Sequence, residues 1–425
     1  MDEKQKVTRA AGVIGLATLL SRILGFIRDM IIAWFFGAGR LSDAFFVAFR
    51  IPNLLRRLFA EGTLSMAFVP VFTRYLTDSG RAEAFALARS AIRLLAAILV
   101  VVTIVGILTA PWIVKGVAPG FSGDKFELTV TLTRIMFPYI VCICLVALCM
   151  GILNALGHFA APALAPVFLN LAMIGAVLFI APLMQEPVMG LAIGVLIGGG
   201  LQLTLQLPFL LQKGIRVWEK APLLHPGLAR VARLMGPAVF GAAVYQVNIL
   251  IGTLLASLLA EGSVSYLYYA DRVVQFPLGI FAISMSVALL PSLSRQAAAE
   301  DFTALADTFA YAMNMVFFIT IPAMVGLIVL REPIVGLLFH RGAFEIESLQ
   351  ATGFALFHYS VGLWAFSAVR IVVSTFYALQ DTKTPVKMAT YSIIANIGLG
   401  VILMGPLSHG RSEERRVGKE CATGC

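Results

Sequence analysis

The sequence has little charge and few of the side chains from which active sites are assembled: of 425 residues, 13% are charged, five are histidine and five are cysteine. It contains no His-Glu-x-x-His, no Gly-x-x-x-x-Gly-Lys loop, no Gly-x-Ser-x-Gly elbow and no close carboxylate pair in a loop. Zincin, phosphate-loop NTPase and serine-hydrolase chemistry are thereby excluded, and the chain reads as a non-enzyme with no catalytic residues. His158, His225, His340, His358 and His409 are scattered singly through loops and helix ends, which fits core or interface duty. Cys142, Cys144 and Cys149 share one apolar segment with no histidine or acid beside them, so they read as small apolar packing rather than a metal site or disulfide.

What is present is apolar surface. Hydrophobic residues make up 59% of the chain and the mean hydropathy is +0.90, beyond what a soluble domain of this length uses. Runs such as Leu94 to Ala110, Pro162 to Ile180, Val188 to Leu211 and Val316 to Leu330 approach the length that spans about 30 Å of hydrocarbon. Counting these, the charged first two and the proline-interrupted ones predicts about eleven transmembrane helices in an all-α, polytopic membrane protein. The charged start resembles a signal peptide, but Arg22 and Arg28 interrupt the apolar stretch and no small-residue cleavage site follows, so it reads as a retained first helix.

Basic residues are unevenly shared between the loops. Lys4, Lys6, Arg9, Arg74, Arg81, Arg89, Arg93, Lys213, Arg216, Lys220, Arg230, Arg233, Arg295, Lys383 and Lys387 fall on one side, against Arg40, Lys115, Lys125, Arg331 and Arg341 on the other. The positive-inside rule then makes the amino terminus cytoplasmic. A net charge of +9 is accounted for by basic loops facing an anionic leaflet and requires no nucleic-acid partner.

Laying the second half over the first at an offset of roughly 222 residues gives ordered matches, the check that precedes fold reasoning in a long chain. Gly39-Arg-Leu-Ser42 meets Gly262-Ser-Val-Ser265, Arg50 meets Arg272, and Val69-Pro-Val-Phe-Thr-Arg74 meets Leu290-Pro-Ser-Leu-Ser-Arg295. One period holds about six crossings, an even number, so both copies enter the membrane from the same side as a parallel repeat. The expected architecture is two pseudo-symmetric six-helix lobes around a central cavity: residues 1–215, then an incomplete second lobe over 216–410, then a polar tail, 411–425, unlike what precedes it. Pro52-Asn53 and Pro277 are expected to interrupt the second and eighth helices at matching positions, and Gly190, Gly194 and Gly198 to give the sixth a flat packing face.

The informative feature is the charge that remains inside apolar segments. Arg22, Arg28, Asp29, Asp43, Arg50, Arg56, Arg57 and Glu61 lie in the first helices, and Asp271 and Arg272 in the eighth. An arginine at mid-bilayer costs roughly 2.5–3.5 kcal/mol on the mildest scale, so such residues face a wet cavity or one another. Separations of seven residues place Arg22 with Asp29, Asp43 with Arg50 and Arg50 with Arg57 on common helix faces. Internal ion pairing that only holds the bundle together is one reading, strongest for Asp29, Asp43 and Glu61. The arginines outnumber the acids, however, and a planar, permanently charged guanidinium suits a phosphate or diphosphate better than a cation or a neutral drug. Without a nucleotide site and with no cofactor, transport would draw on the membrane potential, an ion gradient or consumption of product.

Ser21-Arg-Ile-Leu-Gly-Phe-Ile-Arg-Asp29, Ser42-Asp-Ala-Phe-Phe-Val-Ala-Phe49, Ile51-Pro-Asn-Leu-Leu-Arg-Arg-Leu-Phe-Ala-Glu-Gly62, Gly262-Ser-Val-Ser-Tyr-Leu-Tyr-Tyr-Ala-Asp-Arg272 and Asp381-Thr-Lys-Thr-Pro-Val386 closely resemble the MurJ (MviN) family of lipid II flippases. The resemblance runs in order from about residue 9 to about residue 410. It implies a member of the multidrug/oligosaccharidyl-lipid/polysaccharide exporter superfamily in the bacterial inner membrane, moving undecaprenyl-diphosphate-linked peptidoglycan precursor from the cytoplasmic to the periplasmic leaflet for cell-wall synthesis. The precursor and the bilayer would be its partners, with other cell-wall synthesis or division proteins as candidates. The family's important positions fall on Arg22, Arg28, Asp29, Asp43, Arg56, Glu61, Ser265 and Arg272 here; the expected substrate-binding set is Arg22, Arg28, Arg56, Ser265 and Arg272, with Asp29, Asp43, Arg50, Arg57, Glu61 and Asp271 as cavity or structural charges. Family members have more helices than the eleven or so read here. The alternatives are a drug or cation antiporter of the same superfamily, which would want an acidic cavity, and a membrane enzyme acting on polyprenyl phosphates, which would want acid/base residues in an interfacial loop.

Overall fold

Apolar segments in a bilayer fold as long helices because each backbone N–H and C=O must be paired within its own segment. The computed structural model describes residues 3–59, 63–219, 222–400 and 402, and those residues contain no strand. In chain order the helices are α1 (Glu3–Phe36), α2 (Arg40–Phe59), α3 (Thr63–Asp78), α4 (Gly80–Val117), α5 (Gly123–Met136), α6 (Tyr139–Ala155), α7 (Ala160–Gly175), α8 (Pro187–Gln212), α9 (Pro226–Ser257), α10 (Ser263–Pro277), α11 (Ser284–Ala298), α12 (Phe302–Val329), α13 (Arg331–Phe339), α14 (Ile346–Val361) and α15 (Leu363–Ala378). A further helix, α16, covers residues 383–400.

Six rods among the described residues are long and apolar enough to cross a membrane, and α14 with α15, bent by 42°, makes a seventh. The more charged rods α1, α2, α3, α9 and α16 are not among them, so up to seven spans, against the eleven or so expected, qualify by length and composition among the described residues. The α5–α6 rod is the centre of the first half, 72% buried over its most apolar stretch, whereas α12 is 17% buried over its own. One apolar core, with Phe45, Phe68, Phe72, Leu87 and Tyr139 sealed inside it, joins the first-half helices to α10 and α13.

The two prolines act differently from the expectation that each breaks its helix. Pro52 lies inside α2, which continues to Phe59: losing one backbone donor bends a helix without ending it when tertiary packing holds both flanks. Pro277 is followed by a wider, π-type turn over Leu278–Ile283 before α11 resumes, so irregular backbone does mark this position. The glycine face of α8 behaves as its spacing predicts. A Cβ on Gly190 would come within 2.7 Å of Ala181 Cα, on Gly194 within 2.4 Å of Ala176 Cβ and on Gly198 within 2.6 Å of Leu169 Cδ1. One turn further on, Gln202 and Gln206 occupy the same seam and donate to the Ala165 and Ala161 carbonyls at 2.9 and 3.1 Å.

At the basic end, α4 overshoots the hydrocarbon. Its 38 residues span roughly 57 Å at 1.5 Å per residue, and the projecting part grips the segment that links α8 to α9. Arg89 Nη1 donates to Glu219 Oε2 at 2.8 Å, and Ser90 and Arg93 donate to linker carbonyls of Pro222 and Trp218. His225, the cap of α9, accepts from Gly227 N at 3.1 Å while its other ring nitrogen faces Glu83 at 2.9 Å. This is the interface duty its sequence position suggested.

Candidate functional site

Two turns before the end of α1, Arg28 and Asp29 are both buried, 6% and 1% exposed. Removing a carboxylate from water costs several kcal/mol unless its lone pairs are filled, and here four groups converge on Asp29. Arg28 contributes Nε at 3.0 Å and Nη2 at 2.6 Å to Oδ1, the Tyr268 hydroxyl donates to Oδ1 at 3.1 Å, and Arg272 Nε lies 2.8 Å from Oδ2. Tyr268 and Arg272 belong to α10, so the carboxylate joins the two halves of the chain. Arg28 spends its remaining nitrogen on Asn170 of α7, donating from Nη1 to Oδ1 at 3.1 Å, and Asn170 donates in turn to the Ser21 carbonyl at 3.1 Å. Two guanidinium groups around one carboxylate leave a net positive charge.

Further toward the weakly basic end, Asp43 on α2 forms a second bridge of different character. Its Oδ1 accepts from Ser265 N at 2.9 Å and Ser265 Oγ at 2.6 Å; its Oδ2 accepts from Gly262 N at 2.8 Å and Lys125 Nζ at 2.7 Å. The carboxylate thus caps the amino terminus of α10 from another helix, where free N–H groups and the helix dipole favour an anion. Asp43 and Ser265 are 222 residues apart, the same offset that relates Arg50 to Arg272. The loops on either side are equally close. Ala343 N donates to Trp34 O at 2.9 Å, Arg40 N to Glu261 Oε1 at 2.8 Å and Gly120 N to Ser257 Oγ at 3.3 Å. Gly37, at φ +64°, has no room for a Cβ, which would stand 2.3 Å from Ala343 O.

Sequence spacing paired Asp29 with Arg22 and Asp43 with Arg50; the structure instead gives Asp29 its neighbour Arg28 and two residues of α10, and gives Asp43 partners from other elements. Helical spacing identifies which residues share a face but not what packs against it. Arg22 is exposed, with its guanidinium beside Gly279, and no ion pair or hydrogen bond holds its side chain among the described residues. Arg50 donates to Thr253 of α9 and lies in the electrostatic field of Asp271, Arg57 and Tyr268. Arg56 donates from Nε to Asn53 at 2.8 Å, and Asp271 accepts from Gln275. Ser265 is fully buried with both donors committed to Asp43, so it offers a ligand nothing in this conformation. Glu61 and residues 411–425 lie outside the described residues. Sequence reasoning overlooked Asn170, Tyr268 and Lys125. An asparagine inside an apolar stretch was a visible signal; a lysine beside other charges at the start of α5 and a tyrosine amid aromatic neighbours were not.

Arg22, Arg50, Arg56, Arg57 and Arg272 all retain some exposure, and the acids beside them are fewer. Partly exposed guanidinium groups suit an anion with several oxygens, which they bind through paired N–H donors. Separately, an aliphatic cavity of about 90 Å³ lies between Leu55, Leu64, Leu99, Ile140 and Met235; it offers no polar group to a ligand.

The family model described as lipid II flippase MurJ matches residues 32–410. A probable lipid II flippase MurJ of Vibrio cholerae is 40% identical over 407 residues, covering 94% of this chain and 78% of that protein. The lipid II flippase MurJ of Burkholderia cenocepacia is 40% identical over 415 residues, with 94% and 77% covered. Among solved structures, a lipid II flippase MurJ in an inward closed conformation superposes with a TM-score of 0.80 at 30% identity over 92% of this chain and 81% of that one. An inward-facing multidrug transporter of the MATE family has a TM-score of 0.76 at 16% identity, covering 89% and 86%, a likeness of fold alone.

Proposed function

This chain belongs to the MurJ family of lipid II flippases, and from that premise we propose that it carries the precursor across the inner membrane by alternating access, its diphosphate received by the arginines between the two halves. The observation that carries the reading is the Asp29 cluster. One buried carboxylate, held by Arg28 from α1 and Arg272 from α10, leaves positive charge at the meeting point of the two halves, within the field of Arg50 of α2. Lipid II offers a diphosphate to such a site, whereas a cationic drug would be repelled by it.

Alternating access needs one end closed while the other is open. The Asp43 bridge and the close loop contacts around Gly37 and Gly120 supply the closed end, which the loop charges assign to the periplasm, with the amino terminus in the cytoplasm. Opening there exchanges the bonds of Asp43 for water. The two lobes, residues 1–215 and 216–410, would move as units about the seam where Asp43 of α2 meets Ser265 of α10. No covalent step is required and no cofactor is invoked; the drive is the membrane potential, an ion gradient or removal of product. Association with other cell-wall synthesis or division proteins is part of the same proposal.

The test is retention of precursor and its translocation. Protein extracted in detergent and incubated with lipid II should retain it in native mass spectrometry, and proteoliposomes should expose fluorescent lipid II to an impermeant quencher. Retention of cationic drugs in place of lipid II would favour the antiporter reading and overturn this one.

A further inference from the structure

We propose that Tyr268 is the positioning residue that aims Arg272 at the diphosphate, an assignment that rests on the proposed function. Its phenol is the only uncharged group that touches all three charges of the cluster among the described residues. The hydroxyl donates to Asp29 Oδ1 at 3.1 Å and accepts from Arg272 Nη2 at 3.2 Å and Arg28 Nη2 at 3.4 Å. The ring is held independently of these bonds. It stacks on Phe46 of α2 with centroids 3.9 Å apart and planes 21° apart, and meets Tyr269 edge-on at 5.7 Å. The Arg272 guanidinium lies over the same ring, 5.3 Å from its centroid.

Arg272 therefore has two anchors on Tyr268, the face beneath it and the oxygen beside it, one turn earlier on its own helix. That arrangement answers a specific need. Asp29 alone would draw both guanidiniums onto its oxygens, as buried opposite charges do. By occupying part of Oδ1 and offering Arg272 a second acceptor, the phenol keeps that arginine, whose side chain is 33% exposed, turned so that the rest of its fork remains for a ligand. Arg28 is closed to ligand by comparison, with every nitrogen engaged by Asp29, Asn170 or Tyr268. Because the ring is fixed from α2 and the hydroxyl acts on α1 and α10, the site is shaped by both halves together.

The experiment measures binding of farnesyl diphosphate, in detergent, to the full chain and to Tyr268→Phe, each with and without Arg272→Lys. The phenylalanine variant keeps the stack on Phe46 and should leave the melting temperature within a degree or two. It should weaken binding about tenfold, the worth of one hydrogen bond to a charged group. In the Arg272→Lys background the same substitution should have little further effect, because the residue it positions is gone. Equal binding by Tyr268→Phe and the parent, or an equal loss in both backgrounds, would overturn the positioning role. Failure of the unsubstituted chain to bind any diphosphate would instead overturn the proposed function itself.

Discussion

Asp29 and Asp43 are the same residue type, each 1% exposed and each joining α10 to the first half, yet they are satisfied in opposite ways. Asp43 takes two backbone N–H groups, one hydroxyl and one lysine, so its charge is cancelled and its geometry fixed by helix ends. Asp29 takes two arginines and a phenol, which overcompensates it. A carboxylate met by backbone donors makes a clasp; one met by surplus guanidinium is left positively charged, as the proposed diphosphate site requires. Both kinds of bridge join α10 to the first half of the chain.

The comparison breaks most sharply at Asp43. Asp43→Ala strands Lys125 and uncaps α10 at once, and breaking a buried pair from one side costs about 3–5 kcal/mol. The expected result is a marked fall in melting temperature, or opening of this end, read as a longer distance between spin labels on the α1–α2 loop and on the loop before α14. Asp43→Asn should lose less, since an amide oxygen still accepts from Gly262 and Ser265. An alanine variant with unchanged stability and distance would show that the clasp does not hold the ends together.

Arg22 probes the receptive side. With no partner to strand, Arg22→Ala should leave stability within about 0.5 kcal/mol, while losing about 1.5–3 kcal/mol of diphosphate binding and with it translocation. Coupled loss of abundance and activity would make Arg22 a structural residue instead. A smaller change is expected at Gly37. Its backbone sits at φ +64°, where a side chain costs roughly 1–2 kcal/mol, and Ala343 blocks the space. Gly37→Ala should therefore loosen the closed end without altering diphosphate affinity in the open cluster, which separates the two bridges by their readouts.

Much of this is legible in the amino-acid sequence. Apolar length specifies the helices, loop charge their expected sense, and the cost of buried arginine the residues that matter. Pairing is not legible, because Arg22 and Asp29 share a helix face by spacing while the actual partners of Asp29 are its own neighbour and two residues of α10. Nor is the role of Ser265, whose hydroxyl looks the same in sequence whether it serves a ligand or a carboxylate in the next helix. Pro52 misleads for a related reason: a lone proline reads as a break, but helix α2 is held on both sides of it by neighbours that local sequence does not contain.

A third aspartate sharpens the comparison from the weak end. Asp381 caps α16 as Asp43 caps α10, accepting from Lys383 N at 2.9 Å, Thr384 N at 3.0 Å and Thr384 Oγ1 at 2.6 Å, but it does so from its own chain segment and partly open to solvent. Those hydrogen bonds, the Thr384 hydroxyl first, hold its carboxyl below the usual carboxylate range. A group whose folded value is depressed stabilises the fold above its unfolded value, about 3.9 for aspartate, and that contribution is lost as pH falls through the lower folded value. Hydrogen exchange at the Lys383 and Thr384 amides should accordingly be slower than in Asp381→Asn at neutral pH, and the difference should vanish on acidification below the aspartate range. The global melting temperature should barely move, because water replaces this cap at little cost, whereas nothing replaces the buried one. If Asp381→Asn destabilised the protein as strongly as Asp43→Ala, burial would not be what separates a clasp from an ordinary helix cap.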